Sequence, residues 1–213
     1  GELYNHWDKY NKNYGDTDFL TNHINKYGID GLKTLDGEYA LIIYDNKLKK
    51  LYLSKDPFGT KPIHYAIKDN SYVVTTSYGK TIQDLGVDET QICSVPANSL
   101  VMIDLKSYKI KIHNNLKKFN FCSKNKTTYK DFSSAFSKAI IKRVKNLDKK
   151  IFIGLSSGHD SGLIAAELSR LKTPFSSYSV FYGEDKNILK SRINILSKNK
   201  RVNLRNLVIN QKN

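Results

Sequence analysis

The spacing of apolar positions changes character about half way along the chain. Phe19, Leu20, Ile24 and Tyr27 recur at helical spacing behind Asp16 and Thr17, either of which can cap a helix. Gly28 and Gly31 end it. From Asp36 the period shortens. Residues 39–44 form an apolar run too short for a helix, and residues 50–54 return after the turn pair Asp45-Asn46, which predicts a hairpin. Asp56-Pro57-Phe58-Gly59 is a turn. Further strands are predicted at residues 63–67, 72–75, 99–104 and 108–113. Residues 1–113 therefore read as mostly antiparallel β with one early helix, an α+β domain.

Residues 114–128 are rich in Asn, Lys, Ser and Thr without periodicity and read as a linker. From 129 onward the pattern is α/β. Thr128 can cap a helix that carries Phe132, Phe136, Ile140 and Val144 on one face. Residues 151–155 are a short apolar run, as expected of a buried parallel strand. A loop of small residues, 156–161, leads into a helix with Leu163, Ile164, Ala166 and Leu168. A strand at 176–181 and a helix at 188–196 complete one βαβ unit with a right-handed crossover. The rest reads as a basic, poorly patterned tail.

Apolar residues make up 39% of the 213, and mean hydropathy is −0.50, values that suit a soluble globular protein. No apolar run approaches the roughly 20 residues of a spanning helix. Cys93 and Cys122 are too few for a disulfide framework or a zinc site, so a cytoplasmic setting is the default. The chain opens at Gly1 without an initiator methionine, its only Met being Met102, and it reads as a piece of a longer protein.

The net charge of +15 is lopsided. Residues 1–100 carry −2 and residues 101–213 carry +17. A polyanion-binding half would explain that. Against a nucleic-acid binder, the basic residues are dispersed and do not alternate with aromatic stacking residues.

The segment with the most chemistry is Ser156-Ser157-Gly158-His159-Asp160-Ser161. Small residues between a strand and a helix N-terminus let backbone N–H groups approach an anion closely. A Walker A loop is excluded, because no Lys follows Gly158. Gly154-Leu155-Ser156-Ser157-Gly158 fits a nucleophile elbow, but that hydrolase order needs a later His, and none follows His159. The third reading is the pyrophosphate loop S-G-G-x-D-S of ATP pyrophosphatases. There backbone and hydroxyl donors hold the phosphates, and Asp160 orients the loop or binds Mg²⁺.

Several segments in order carry a family resemblance. Gly1-Glu2-Leu3-Tyr4-Asn5-His6 resembles the G-E-I-Y-N-H of glutamine-hydrolysing asparagine synthetases, and residues 16–20 resemble its D-T-E-V-L. Leu35-Asp36-Gly37-Glu38-Tyr39-Ala40 is similar to L-x-G-x-F-A, and Tyr44-Asp45 to the W-D after it. Residues 54–62 resemble R-D-x-F-G-x-K-P, residues 95–100 resemble P-P-G-x-x-L, and residues 154–162 resemble the L-S-G-G-L-D-S-S segment.

The resemblance implies a four-layer (αββα) Ntn-hydrolase-like glutaminase domain over 1–113. After the linker it implies the start of a PP-loop synthetase domain, adenine nucleotide α-hydrolase-like, over 129–213. The implied activity is ATP- and Mg²⁺-dependent amidation of aspartate through an acyl-AMP, using ammonia from glutamine. Gly1 matches the oxyanion donor, and Glu2 and Asp16 match carboxylates that bind the glutamine ammonium. Leu155 and Val180 match positions lining the adenine, while Ser156, Ser157, Gly158, Asp160 and Ser161 match the phosphate loop. A homodimer stays open, and so do another carboxylate acceptor and a non-catalytic ATP- or glutamine-binding remnant.

Three departures stand out. The family's nucleophile is an N-terminal cysteine, whereas residue 1 here is Gly, so the chain as it stands is not expected to hydrolyse glutamine. Ser157 replaces a glycine, which costs about 1 kcal/mol if φ there is positive. Gly162 replaces a serine and removes a donor.

Overall fold

The computed structural model describes residues 1–5, 15–69, 71–120, 122, 127–145 and 149–207. Contacts divide the chain into two compact units, Gly1–Lys124 and Asn125–Asn213. No helix among the described residues is long and apolar enough to cross a membrane.

The first unit runs β1 (Glu2–Leu3), α1 (Asp16–Tyr27), a 3₁₀ turn (Ile29–Thr34), β2 (Gly37–Glu38), β3 (Ala40–Asp45), β4 (Lys50–Lys55), β5 (His64–Lys68), β6 (Tyr72–Thr76), α2 (Gly79–Asp84), β7 (Cys93–Ser94), β8 (Ser99–Asp104) and β9 (Ile110–Asn114). Strands β3-β4-β8-β9 form one antiparallel sheet, β6-β5-β7 a second, and β1 pairs with β2. The predicted hairpin is present, with Ala40 opposite Lys55 and Asp45 opposite Lys50. Its turn is held by the Asp45 carboxylate, which accepts the Lys47 and Leu48 amides at 2.9 Å each.

Period-two alternation then decides the layering. Leu51, Leu53, Val101 and Ile103 face the second sheet and pack with Ile63, Tyr65 and Val95. The intervening Leu41, Ile43, Tyr52, Leu100 and Met102 pack with Phe19, Leu20 and Ile24 of α1. On the far side, Ala66 and Val74 pack with Ile82 of α2 and with Val87. The succession is helix, sheet, sheet, helix. A fully buried leucine such as Leu53 contributes about 1.5–3 kcal/mol to this stack.

Several details differ from the sequence reading. The cap of α1 is Gly15, not Asp16 or Thr17; Asp18 reaches back to the Gly15 amide at 3.2 Å, and Asp16 is the first helical residue. Tyr108, with φ of 55°, belongs to the turn before β9. Helix α2 was not anticipated, because it buries a single apolar residue, Ile82, and so has no readable period. The start of the predicted linker is fixed to the first unit. Asn98 clamps Lys117 with two hydrogen bonds of 2.8 and 2.9 Å, and Leu116 packs on the α1 side.

The β1–β2 pairing depends on Gly37. A Cβ there would lie 2.3 Å from the Glu2 carbonyl oxygen and 3.0 Å from the Leu3 Cα, both backbone atoms with nowhere to go. Gly37→Ala is therefore expected to destabilise the chain by about 1–3 kcal/mol, read as a lower urea midpoint with unchanged slope. An unchanged midpoint would show that β1 yields freely.

The second unit contains α3 (Lys130–Val144), β10 (Phe152–Gly154), α4 (His159–Arg170), β11 (Phe175–Val180), α5 (Lys186–Ser197) and β12 (Val202–Leu207). The three strands are parallel in the order β10-β11-β12, giving two βαβ units rather than one. The tail read as unpatterned supplies β12, which pairs with β11 from Val202 to Leu207. Ile140, Leu155, Ala165, Leu168, Phe175, Leu189 and Leu196 form the core. Thr128 does not cap α3; Tyr129 stands at the cap position without a side-chain bond. Phe132 is exposed, although Phe136, Ile140 and Val144 of the same predicted face pack inward.

Candidate functional site

Two regions hold the residues singled out by sequence, one in each unit. In the first unit, β1 places Gly1 against β2 and the residue after it. A Cβ on Gly1 would come within 2.6 Å of the Glu38 carbonyl oxygen and 2.9 Å of the Tyr39 Cα, so only glycine fits this approach. Asp16 is brought to the same strand from α1, where its Oδ2 accepts the Leu3 amide at 3.0 Å. Part of its carboxylate therefore fastens the helix N-terminus to β1. Glu2 is exposed, and no hydrogen bond or ion pair engages its side chain among the described residues. Asn5 is anchored in turn, donating to the Thr34 carbonyl at 2.9 Å and accepting the Asp36 amide at 2.6 Å. His6 lies outside the described residues.

Sequence reasoning missed the group that organises this region, Asp56. Its side chain is fully buried. One oxygen accepts the Phe58 amide at 2.9 Å; the other accepts the Tyr39 and Thr60 amides at 3.2 and 3.0 Å and the Thr60 hydroxyl at 2.5 Å. Its backbone joins in, with the Asp56 amide donating to the Tyr39 carbonyl and the Asn98 amide to the Asp56 carbonyl. Burial alone would raise the Asp56 pKa, but the bonds from Thr60, Phe58 and Tyr39 outweigh it and hold the carboxyl below its ordinary value. Tyr39 is pushed up to about 12, mainly by burial and then by the nearby Asp56 charge. The available signal was an Asp two residues before the amide that donates to it in an Asp-Pro-Phe-Gly turn, the mark of an Asx turn. Beside it Lys55 is buried, with its ammonium 3.4 Å from the Ser94 hydroxyl.

In the second unit the loop 155–158 joins β10 to α4, whose cap residue is Gly158. The structure brings Ser156, Ser157, Gly158 and Ser161 together. The Ser156 and Ser161 hydroxyls lie 2.8 Å apart, the Ser156 amide donates to Ser161 Oγ at 3.1 Å, and the Gly158 amide donates to Ser156 Oγ at 3.1 Å. Asp160 is exposed in the first turn of α4, and among the described residues its side chain makes no capping hydrogen bond. Leu155 points into the core at 2% exposure, whereas Val180 is exposed at the end of β11.

The departures have local explanations. Ser157 has no positive φ, so the strain expected of a serine there does not arise. Its hydroxyl donates to Glu184 and accepts the Asp185 amide at 3.2 Å. Gly162 leaves room for Arg192: a Cβ would lie 2.8 Å from the guanidinium carbon. Arg192 Nη1 donates to the Ser156 and Gly158 carbonyls at 2.6 and 2.5 Å, pinning the loop from its carbonyl side. The elbow reading finds no support. Ser156 is not at positive φ, and its hydroxyl pairs with Ser161 rather than with an imidazole.

Residues 1–135 match the model of a family described as glutamine amidotransferase domain. The chain is 29% identical over 185 residues to a putative asparagine synthetase (glutamine-hydrolyzing) 1 of Methanocaldococcus jannaschii, covering 78% of this chain and 34% of that protein. It is 27% identical over 201 residues to a probable asparagine synthetase (glutamine-hydrolyzing) of Acanthamoeba polyphaga mimivirus, covering 82% and 36%. The human asparagine synthetase (glutamine-hydrolyzing) is 22% identical over 227 residues, covering 90% and 40%. The chain thus spans between 34% and 40% of the length of these relatives. With the family model covering residues 1–135, β1, both sheets of the first unit and the Asp56 turn included, the chain belongs to the glutamine amidotransferase domain family.

Proposed function

We propose that the first unit is a glutaminase of the Ntn-hydrolase kind, releasing ammonia from glutamine within a longer amidotransferase. The observation that carries this reading is the family match over residues 1–135, joined to the tight seating of Gly1 on Glu38 and Tyr39. With a residue bonded ahead of it, the Gly1 nitrogen becomes a backbone amide and serves as a preorganised donor for a developing oxyanion. The unengaged Glu2 carboxylate, beside it on β1, offers an ion-pair partner to the ammonium of glutamine. Asp16 is tied to the strand and acts on that site chiefly by holding β1 in place. The deciding experiment is ammonia release by a form with a cysteine ahead of Gly1.

The second unit is proposed as the beginning of a PP-loop synthetase domain that binds ATP and Mg²⁺. Support comes from the parallel strands, the small-residue turn into α4 and the unengaged Asp160 at its N-terminus. ATP, when bound, supplies an activated phosphorus for attack by a carboxylate. The chain's own contribution is the loop backbone, the Ser156–Ser161 pair that shapes it and Asp160 beside the phosphates. Mg²⁺ would be held by Asp160 together with phosphate oxygens. The names of the relatives point to aspartate as the acceptor, another carboxylate being the alternative. Asp160→Ala is expected to weaken ATP-Mg binding at least about tenfold in calorimetry without lowering the melting temperature. Unchanged affinity would remove the phosphate-loop assignment.

A further inference from the structure

The loop between β10 and α4 is already occupied by groups of the chain itself. Its three leading amides each have an internal acceptor. Ser156 N–H donates to Ser161 Oγ at 3.1 Å, Gly158 N–H to Ser156 Oγ at 3.1 Å, and Ser157 N–H to the Glu184 carboxylate at 2.5 Å. Glu184 Oε2 also accepts the Ser157 hydroxyl. A carboxylate oxygen that takes one backbone amide and one hydroxyl of an anion loop makes the contacts a phosphate oxygen would make.

The elements around Glu184 hold it there. Gly183, at φ of +67°, lies in the turn between β11 and α5. Asp185 caps α5 by accepting the Asn187 and Ile188 amides at 2.9 and 3.0 Å, and its own amide binds Ser157 Oγ. From the same helix, Arg192 takes the loop carbonyls of Ser156 and Gly158. The segment from Gly183 to Arg192 therefore grips the loop on both its donor and its acceptor sides. Each departure from the S-G-G-x-D-S-S pattern serves one of these grips: the Ser157 hydroxyl meets Glu184, and Gly162 makes room for Arg192.

We propose that Glu184 is a built-in competitor of the phosphate at this loop, and that a polyphosphate ligand binds by displacing its carboxylate from Ser157. The proposal rests on the phosphate-loop reading given above. Two anionic oxygens do not share one amide and one hydroxyl, and the bonds from Ser157 hold Glu184 below the ordinary carboxyl range, so it stays ionised near neutral pH. Displacement frees the two donors of Ser157 and releases the bend at Gly183.

Calorimetry of the full chain with inorganic pyrophosphate, with and without Mg²⁺, tests this against Glu184→Gln, which keeps the volume and removes the charge. The variant is expected to bind pyrophosphate about tenfold more tightly than the wild type in both conditions. Its Ser157 amide resonance is expected upfield of the wild-type position before any ligand is added, a shift that a merely structural side chain would not produce. Equal affinity in the two proteins, or weaker binding by Glu184→Gln in Mg²⁺ as expected of a metal ligand, would overturn the competition while leaving the phosphate loop intact. Absence of binding by both proteins at millimolar pyrophosphate would overturn the loop reading and this inference with it. Ser157→Gly separates the hydroxyl's roles: tighter binding accords with its service to Glu184, and weaker binding contradicts it.

Discussion

A cysteine with a free α-amino group, placed directly before Gly1, is expected to turn the chain into a glutamine hydrolase. On the proposed glutaminase reading the effect is all-or-none, because the added thiol, activated by its own amine, would be the nucleophile. On that reading Gly1 becomes the second residue, and its amide is the donor offered to the reacting carbonyl. Its seat against Glu38 and Tyr39 fixes that amide before substrate arrives, and one such donor is worth about 10²–10³ in rate. Ammonia release should appear with the added cysteine and vanish when alanine is added instead. Glu2→Ala in the cysteine-bearing form should raise KM for glutamine about tenfold and leave kcat nearly unchanged, since the ammonium is bound equally in ground and transition states. A cysteine-bearing chain that binds glutamine without releasing ammonia would sink the glutaminase reading. Cys93, on β7, and Cys122 are both exposed, and neither belongs to β1 or β2.

Replacing Asp56 by alanine is expected to be the most damaging single change to stability, about 3–5 kcal/mol. The variant would leave three backbone amides, of Tyr39, Phe58 and Thr60, without the acceptor that a fully buried side chain now supplies, at about 1–3 kcal/mol each before relaxation. Asp56→Asn keeps the volume and one accepting oxygen, so it should cost less than half as much. The pH dependence has a defined sign. Because the folded-state pKa of Asp56 lies below the ordinary value, the unfolded chain binds its proton more readily. Its contribution is complete above the ordinary Asp pKa of about 3.9 and is lost as pH falls through the lowered folded value. Urea midpoints measured between neutral and strongly acidic pH should fall steeply for the wild type and much less for Asp56→Asn. A parallel decline in both proteins would show that other carboxylates set the acid limit. Since Tyr39 both donates to Asp56 and seats Gly1, the same substitution should abolish glutaminase activity in the cysteine-bearing form.

Local pattern sufficed wherever a single segment carried its own answer. Helix α1, the β3–β4 hairpin, β8 and the turn into α4 all follow from periodicity and turn chemistry over fewer than about 15 residues. Elements with one or two apolar contacts did not announce themselves. Helix α2 buries only Ile82, and β12 brings just Val202 and Leu204 against the core, its pairing with β11 lying in main-chain atoms that every residue possesses. The capping residues at Asp16 and Thr128 failed for a related reason: a side chain that could cap was outcompeted, at Asp16 by the Leu3 amide of another strand.

The candidate sites divide along the same line. By itself the sequence determined the chemical inventory and its order: Gly1 with Glu2, the Asp-Pro-Phe-Gly turn, and the small-residue loop with Asp160. Those are properties of neighbouring residues. Only the tertiary structure decided what these groups face. It gave Asp56 three amides from two separate segments and put Leu155 in the core. It also spent the donors of Ser157 on Glu184, 27 residues further along the chain. Hydrogen bonds and close approaches between distant segments depend on how sheets stack and where helices return. No spacing within one segment encodes that.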